Sequence, residues 1–392
     1  MRRKYLDTHP WIKFELSLEG LDPSTWMLLG EAQSKCKHIA RVLLEPQETQ
    51  ELQIIYLNKG VRGTAAIEGN TLTEEEVGLV ISGDLNLPKS KEYLAREILN
   101  IIGAYNEILD EHVNAINVEL SAERIKEYNK KILAGLKVEN HVVPGEIRKT
   151  SVGVFNYRGA PAEDCAFLIE ELCKMLSRFS MDEHWNIACG ILKAIIAHLY
   201  IAWIHPFGDG NGRTARLVEF EFCIAAGVPA TAAHLLSNFY NETRNDYYRA
   251  LDETSKYKSP FPFIRYALQG YVDQLDAQIE KIREAQQKIF WENYIHKKFH
   301  GQETEAARRR RHLALDLSRV VLAPGKGGEW LDIAALSTLS TRLALDYVNK
   351  TKRTLARDIQ SLEEMKLVKR DKNKIYPNLE LLSAYLPKAG RA

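Results

Sequence analysis

Residues 205–216 read H-P-F-G-D-G-N-G-R-T-A-R and place an imidazole, a carboxylate, a Gly-Asn-Gly turn and two guanidiniums within twelve positions. The segment before them, 187–204, is apolar and lacks Gly and Pro after Gly190, so the spacing predicts a buried helix ended by Pro206. The segment after, 214–226, again has helical character and stops at Gly227 and Pro229. The stretch is therefore a loop between two helices, with Gly210, Asn211 and Gly212 opening the second. The first N–H groups of a helix have no intrahelical partner and the summed peptide dipoles put positive charge there, so the position favours an anion. Gly210 and Gly212 let the chain take positive φ and approach a ligand without a Cβ in the way. Arg213 and Arg216, three apart, lie on roughly one face and can grip phosphate oxygens with paired donors. Asp209 offers a hard oxygen suited to a magnesium ion shared with phosphates. His205 titrates near neutrality and can take a proton from an attacking hydroxyl. A diphosphate fits this set of groups.

Each part alone has a plainer reading. A His after an apolar helix is commonly a cap or a core residue, and Asp-Gly is commonly a turn. Their assembly at fixed spacing with Gly-Asn-Gly-Arg and a second Arg is what points to phosphate chemistry. The run matches H-x-F-x-D/E-G-N-G-R-x-x-R at every fixed position and so resembles Fic-domain proteins. The resemblance implies a mainly α fold, a helical core with a small β-hairpin flap. It also implies transfer of AMP from ATP to a hydroxyl side chain of a protein, the chain itself included, with release of pyrophosphate. On the same basis His205 is implied as general base and Asp209 as the magnesium ligand. Asn211 and Gly212, with Gly210 in the same cradle, are implied as the anion hole for the α-phosphate, and Arg213 and Arg216 as clamps on the outer phosphates. Phe207 is expected to anchor the loop in the core. Relatives that move a terminal phosphate depart from the Gly-Asn-Gly-Arg core, and this chain keeps it.

A second stretch, residues 64–70, reads T-A-A-I-E-G-N and resembles the family's inhibitory motif, Ser/Thr-x-x-x-Glu-Gly/Asn. The implied role of Glu68 is to pair with Arg216 and keep the γ-phosphate out of its productive pose; a carboxylate does compete directly with phosphate for a guanidinium. Read without the resemblance, Ile67-Glu68-Gly69 is also an ordinary helix end with a Gly cap, and Thr73 with Glu76 predicts a capping-box start for another helix. Residues 144–161 alternate Val152 and Val154 with small or polar neighbours and have turn chemistry at Asn156, Gly159 and Pro161, which predicts a β-hairpin. The resemblance makes it a flap over the site, with Val152 against the nucleotide and strand-like pairing to a target segment. Asp246 to Leu251 resembles the stretch that gives an aromatic to the adenine, a role carried to Tyr248; the family often has Asn seven residues on, where Ser255 stands here.

A chain of 392 residues exceeds one ordinary core. Its formal net charge of +1 excludes a general polyanion trap. Five cysteines, odd in number and without C-x-x-C spacing, read as reduced buried thiols and as neither a disulfide frame nor a zinc site. The start lacks an apolar signal region and no stretch of about twenty apolar residues is free of charge, so a cytoplasmic protein without a membrane partner is expected. Helical spacing covers 27–44, 50–60, 90–115, 121–135, 163–179, 187–204, 212–226, 244–255 and 260–298. The apolar pattern lapses over 301–311, ending in the run Arg308 to Arg311. The expected division is an N-terminal helical region 1–110 with the inhibitory motif, a catalytic core 111–300, and a third domain 301–392.

That last domain reads as a short start and helix over 330–337, a second helix over 340–349, an amphipathic helix over 351–365 with Leu355, Ile359 and Leu362 on one face, and two short strands about 371–374. Helix, helix, then a two-stranded wing resembles a winged helix-turn-helix domain. Positive excess over residues 350–374 is compatible with DNA as a partner. Winged helices serve as protein-docking and dimer modules too, and a homodimer through this domain or the helical domain is the other reading. Three functions stand open: an auto-inhibited AMP transferase using ATP and magnesium, a hydrolase removing AMP from a modified protein with Glu68 orienting the water, and a nucleotide-sensing DNA-binding regulator.

Overall fold

In the computed structural model, residues 2–15, 18–83, 88–114, 119–154, 157–322 and 329–383 are described. The chain divides into two units, Met1–Ile279 and Glu280–Ala392.

The first unit is helical and is built around one apolar helix. Among its elements are α1 (Pro23–Arg41), α2 (Pro46–Ala66), α3 (Glu74–Ser82), α4 (Glu92–Val113), α5 (Ala122–Ile132), strands β1 (Gly153–Val154) and β2 (Tyr157–Arg158), α6 (Ala162–Arg178), α7 (Asn186–Ile204), α8 (Asn211–Ala225), α9 (Leu235–Glu242) and α10 (Arg244–Tyr257). Almost every residue of α7 is buried, as a helix apolar all round its circumference must be. By length and composition the segment 183–204 could cross a membrane, but its apolar 18-residue stretch is 89% buried inside the protein, and it is the core helix of this unit. It packs along α8, with α1 and α6 against α7 and α4 and α5 against α8.

Helix α4 runs through the expected boundary at 110/111 and packs on both α5 and α8, so the inhibitory motif and the 205–216 loop share one core. Its expected end at 115 lies outside the described residues. The placement of α2 rests on small residues: a Cβ on Gly63 would fall 2.6 Å from the Ser237 carbonyl oxygen, so only Gly lets α2 lie this close to α9. Helix α2 ends in the turn Ile67-Glu68-Gly69, with Gly69 at φ +100. The capping box forms at α3, Glu76 N–H donating to Thr73 Oγ1 at 3.2 Å and Thr73 N–H to Glu76 Oε2 at 3.0 Å. The hairpin pairs Gly153 with Arg158 and Val154 with Tyr157; Asn156, expected in its turn, lies outside the described residues.

The second unit begins within α11 (Phe261–Lys298) and continues through α12 (Glu305–Val321), β3 (Leu331–Asp332), α13 (Thr341–Tyr347), α14 (Lys352–Glu364), β4 (Val368–Asp371) and β5 (Lys374–Pro377). The antiparallel sheet has the order β3-β5-β4. The boundary falls before the expected 300/301 because Trp291, Ile295 and Phe299 are buried with Leu313, Leu336, Ile359 and Ile375 in the second core. The expected lapse over 301–311 is also corrected: from residue 305 it is helix, with Thr304 capping the Ala307 N–H at 3.1 Å. Its arginines mask the apolar spacing of Ala307, Leu313, Ala314 and Leu317. Two of them converge on Asp358, which is 1% exposed and accepts from Arg309 Nε at 2.7 Å, Arg310 Nε at 2.8 Å and Tyr347 OH at 3.0 Å. Removing the carboxylate leaves buried cationic charge unpaired, so Asp358→Ala is expected to lower the stability of this unit by roughly 3–5 kcal/mol, read as a fall in its urea midpoint.

Candidate active site

The 205–216 loop is shaped by side chains that bond to backbone. His205 closes α7 in the left-handed region, φ +50, with its N–H donating to Ile201 O at 2.8 Å. Asn211 clamps the loop on itself: its Oδ1 accepts from Phe207 N–H and its Nδ2 donates to Phe207 O, both at 2.9 Å. Its side chain is thus a brace, and what Asn211 can offer an anion is the backbone N–H at the start of α8. Phe207 is buried, 1% exposed. From α5, Asn129 donates to Asp209 O at 2.8 Å and accepts from Gly145 N–H at 2.9 Å.

The charged groups form a pair, Arg216 with Glu68, and a trio, Arg213 with Glu97 and Asp209. Arg216, fully buried, donates through Nη2 to Glu68 Oε1 at 2.6 Å and to Thr64 O at 3.0 Å, while its Nε and Nη1 have no partner. The Glu68 carboxylate lies over the first turn of α8, where a Cβ on Gly212 would fall 2.2 Å from its Oε1. It therefore holds the place of an anion at a helix N-terminus. Desolvation there would raise its pKa, but the guanidiniums of Arg216 and Arg213 more than offset that and hold it below the ordinary value. Arg213 sits between Glu97 Oε1, which its Nη1 contacts, and Asp209 Oδ1, 2.8 Å from its Nη2. Glu97 is 7% exposed and accepts through its other oxygen from Asn70 Nδ2 at 2.8 Å. Asn70 also donates to Leu94 O at 3.1 Å. The turn carrying Glu68 and the second arginine are thus held by one carboxylate of α4.

A cavity of about 860 Å³ opens beside these groups, and Glu68, His205, Asp209, Gly210, Asn211 and Gly212 line it. Val152 of the hairpin segment and Tyr248 and Ser255 of α10 line it too. Tyr248 OH donates to Ile67 O at 3.4 Å and Arg244 Nη2 to the same carbonyl at 2.6 Å, so α10 also fixes the Glu68 turn. Burial, and next to it the cation of Arg148, lower the His205 imidazole to about 4. A lowered histidine pKa means a neutral ring at pH 7, able to accept a proton. Asp209, 43% exposed on its side chain, is a carboxylate of the cavity and offers a hard oxygen to a cation, as do Glu139 and Asp252 elsewhere in the lining. Among the described residues no cluster of three or more metal-ligating side chains occurs.

All ten residues singled out from sequence, Glu68, Val152, His205, Asp209, Gly210, Asn211, Gly212, Arg213, Arg216 and Tyr248, come to this one region. Four were not found: Asn70, Glu97, Asn129 and Arg148. The signal available for Glu97 and Asn129 is a polar residue on the apolar face of an amphipathic helix, where an unpartnered polar group is costly.

The Fic/DOC family model matches residues 119–223. The chain is 29% identical over 203 residues to a protein adenylyltransferase, fic-1, of Caenorhabditis briggsae, covering 52% of this chain and 37% of that protein. It is 26% identical over 219 residues to the protein adenylyltransferase Fic of Nematostella vectensis, covering 54% and 46%. The chain thus spans less than half the length of these relatives. Among solved structures, a Fic family protein from Desulfovibrio desulfuricans G20 aligns over 93% of this chain and 98% of its own, with a TM-score of 0.58 at 20% identity. Residues 134–508 of Fic-1 from C. elegans align over 66% and 73%, with a TM-score of 0.52 at 22% identity. The matched segment is similar to Fic domains and holds the whole 205–216 loop with the helix before it and most of the helix after it.

Proposed function

We propose that the first unit transfers AMP from ATP to a hydroxyl side chain of a protein, and that Glu68 holds this activity down. The observation that carries the reading is the Glu68 carboxylate on Arg216 at the N-terminus of α8, an internal anion where a triphosphate would be gripped. Two unpartnered donors on the buried Arg216 fit a larger anion than one carboxylate. With Glu68 withdrawn, Arg213 and Arg216 hold the outer phosphates and the N–H groups of the Gly-Asn-Gly turn face the α-phosphate. The target hydroxyl attacks the α-phosphorus in line, His205 takes its proton, the new phosphoester bond forms, and pyrophosphate leaves. Asp209 is the residue that would hold magnesium, which supplies positive charge to the triphosphate. Val152 and Tyr248 bound the nucleotide, and the adjoining strand β1 offers its edge to the target.

The hydrolase reading uses the same groups with Glu68 as the orienter of water, and it requires Glu68 for activity. For the second unit we propose a winged-helix reading with duplex DNA as the partner. It is supported by the exposed Lys352, Arg353 and Arg357 on α14 and Arg370, Lys372 and Lys374 on the β4–β5 hairpin. Arg309 and Arg310 are committed to Asp358 and Lys350 to Glu305, so they are left out of that surface.

Label from α-labelled ATP with magnesium is expected to enter protein about 10- to 100-fold faster in Glu68→Gly than in the wild type, the range of one charge-assisted bond. His205→Ala in that background should lower it by about 10²- to 10⁴-fold. Activity on an AMP-modified protein that needs Glu68 would instead establish the hydrolase. Asn70→Ala releases the turn and should raise label in the wild type while adding nothing in Glu68→Gly; a fall in both backgrounds would make Asn70 a folding residue only. Duplex DNA should bind with an affinity that falls with salt, and Arg353→Glu with Arg357→Glu should reduce the log–log slope by about one per lost phosphate contact.

A further inference from the structure

Arg148 is 7% exposed, and each of its side-chain hydrogen bonds goes to a backbone carbonyl. Nε donates to His205 O at 2.6 Å, Nη1 to Thr150 O at 2.7 Å, and Nη2 to Ala160 O and, at 3.4 Å, to Ile204 O. Its own N–H donates to Pro206 O at 3.0 Å. One planar fork thus joins the segment entering β1, the segment leaving β2, and the turn that carries His205. In that turn His205 lies in the left-handed region, φ +50. The left-handed region is disfavoured for a non-glycine residue and persists where the surroundings fix it. Gly159 completes the fit, since a Cβ there would fall 2.8 Å from His205 Cβ and 3.0 Å from Arg148 Nη2.

Among the described ion pairs none includes Arg148. A buried cation without a carboxylate is costly, and carbonyl dipoles are what compensate it here. If holding the hairpin were the whole role, a neutral side chain with fewer donors would carry less of that penalty.

We infer that Arg148 is a positioning residue for the proposed transfer, locking both ends of the hairpin and the left-handed His205 turn into one unit through backbone carbonyls. The inference rests on the reading of His205 as the base. The charge has a second effect. Burial is the largest influence on the His205 ring; next to it the Arg148 cation favours the neutral ring, while Glu68, a hydrogen bond to the Ala202 backbone and Asp209 oppose it. Without the cation the imidazole pKa rises, and the acid limb of the rate profile, where the base becomes protonated, moves up with it.

Two variants in the Glu68→Gly background of the full chain separate geometry from charge. Arg148→Lys keeps the charge and loses the fork. It is expected to lower kcat for AMP transfer about tenfold or more with KM for ATP near the parent value, to weaken hydrogen-exchange protection of the His205 N–H, and to leave the His205 ring titrating by NMR where the parent's does. Arg148→Met loses both, and the same titration should rise by about one unit. Undiminished kcat together with parent-like protection in Arg148→Lys overturns the positioning role, and an unmoved titration in folded Arg148→Met overturns the electrostatic part. Should Arg148→Met fail to fold, Arg148→Lys decides alone. Absence of His205-dependent transfer in the Glu68→Gly parent would count against the proposed function, and exchange and titration would still decide the role of Arg148.

Discussion

A buried guanidinium needs its charge compensated, by carbonyl dipoles as at Arg148 or by an anion, and Arg216, with no exposure to solvent, has the anion Glu68 beside it. Much of the first unit is arranged around that requirement. Helix α8 brings Arg216 under its own N-terminal turn, α2 lies close enough to α9 for its last turn to deliver Glu68, and α10 holds the carbonyl of Ile67 through Arg244 and Tyr248. A buried ion pair is weak evidence for stability, since desolvation offsets much of the attraction. It is stronger evidence of a place built for negative charge, which a carboxylate or a phosphate can fill. The proposed regulation is a competition between those two for one position.

The loop itself is braced by a different set of groups. Asn211, Asn129 and Arg148 bond to carbonyls and N–H groups of the loop and its neighbours, so its shape does not depend on the protonation of any of them. The groups left with freedom to exchange partners are the charged ones, Arg213, Arg216, Asp209 and Glu68. Scaffold and chemistry are thereby assigned to separate side chains.

How much of this could be read from sequence follows from distance along the chain. The 205–216 loop was legible because its chemistry and its turn residues are contiguous, and the flanking apolar runs fixed the helices on either side. Glu68 was legible because its motif is short and precedes an intact loop. Asn129, Glu97 and Arg148 were not, since each acts on partners well removed in sequence, as Arg148 does on His205 57 positions away. The amphipathic context of Glu97 and Asn129 shows a polar residue on an apolar face without showing what satisfies it, and Arg148 lies in a loop that has no such pattern. The 300/301 boundary was misplaced because Trp291 and Ile295 look like the continuation of one helix, and a helix can cross between two cores. The arginines of α12 read as a solvated run, whereas tertiary pairing with Asp358 draws two of them inward.

Glu97 holds Arg213 with one oxygen and Asn70 with the other. A shared partner of this kind makes two equilibria reciprocal. To the extent that drawing Arg213 toward a phosphate weakens the grip of Glu97 on the Asn70 turn, tightening that turn must lower phosphate affinity by the same factor. A contact far from the cavity that tightens or loosens the bond between Asn70 and Glu97 would then be expressed as a change in phosphate affinity, with no need for that contact to touch the phosphate.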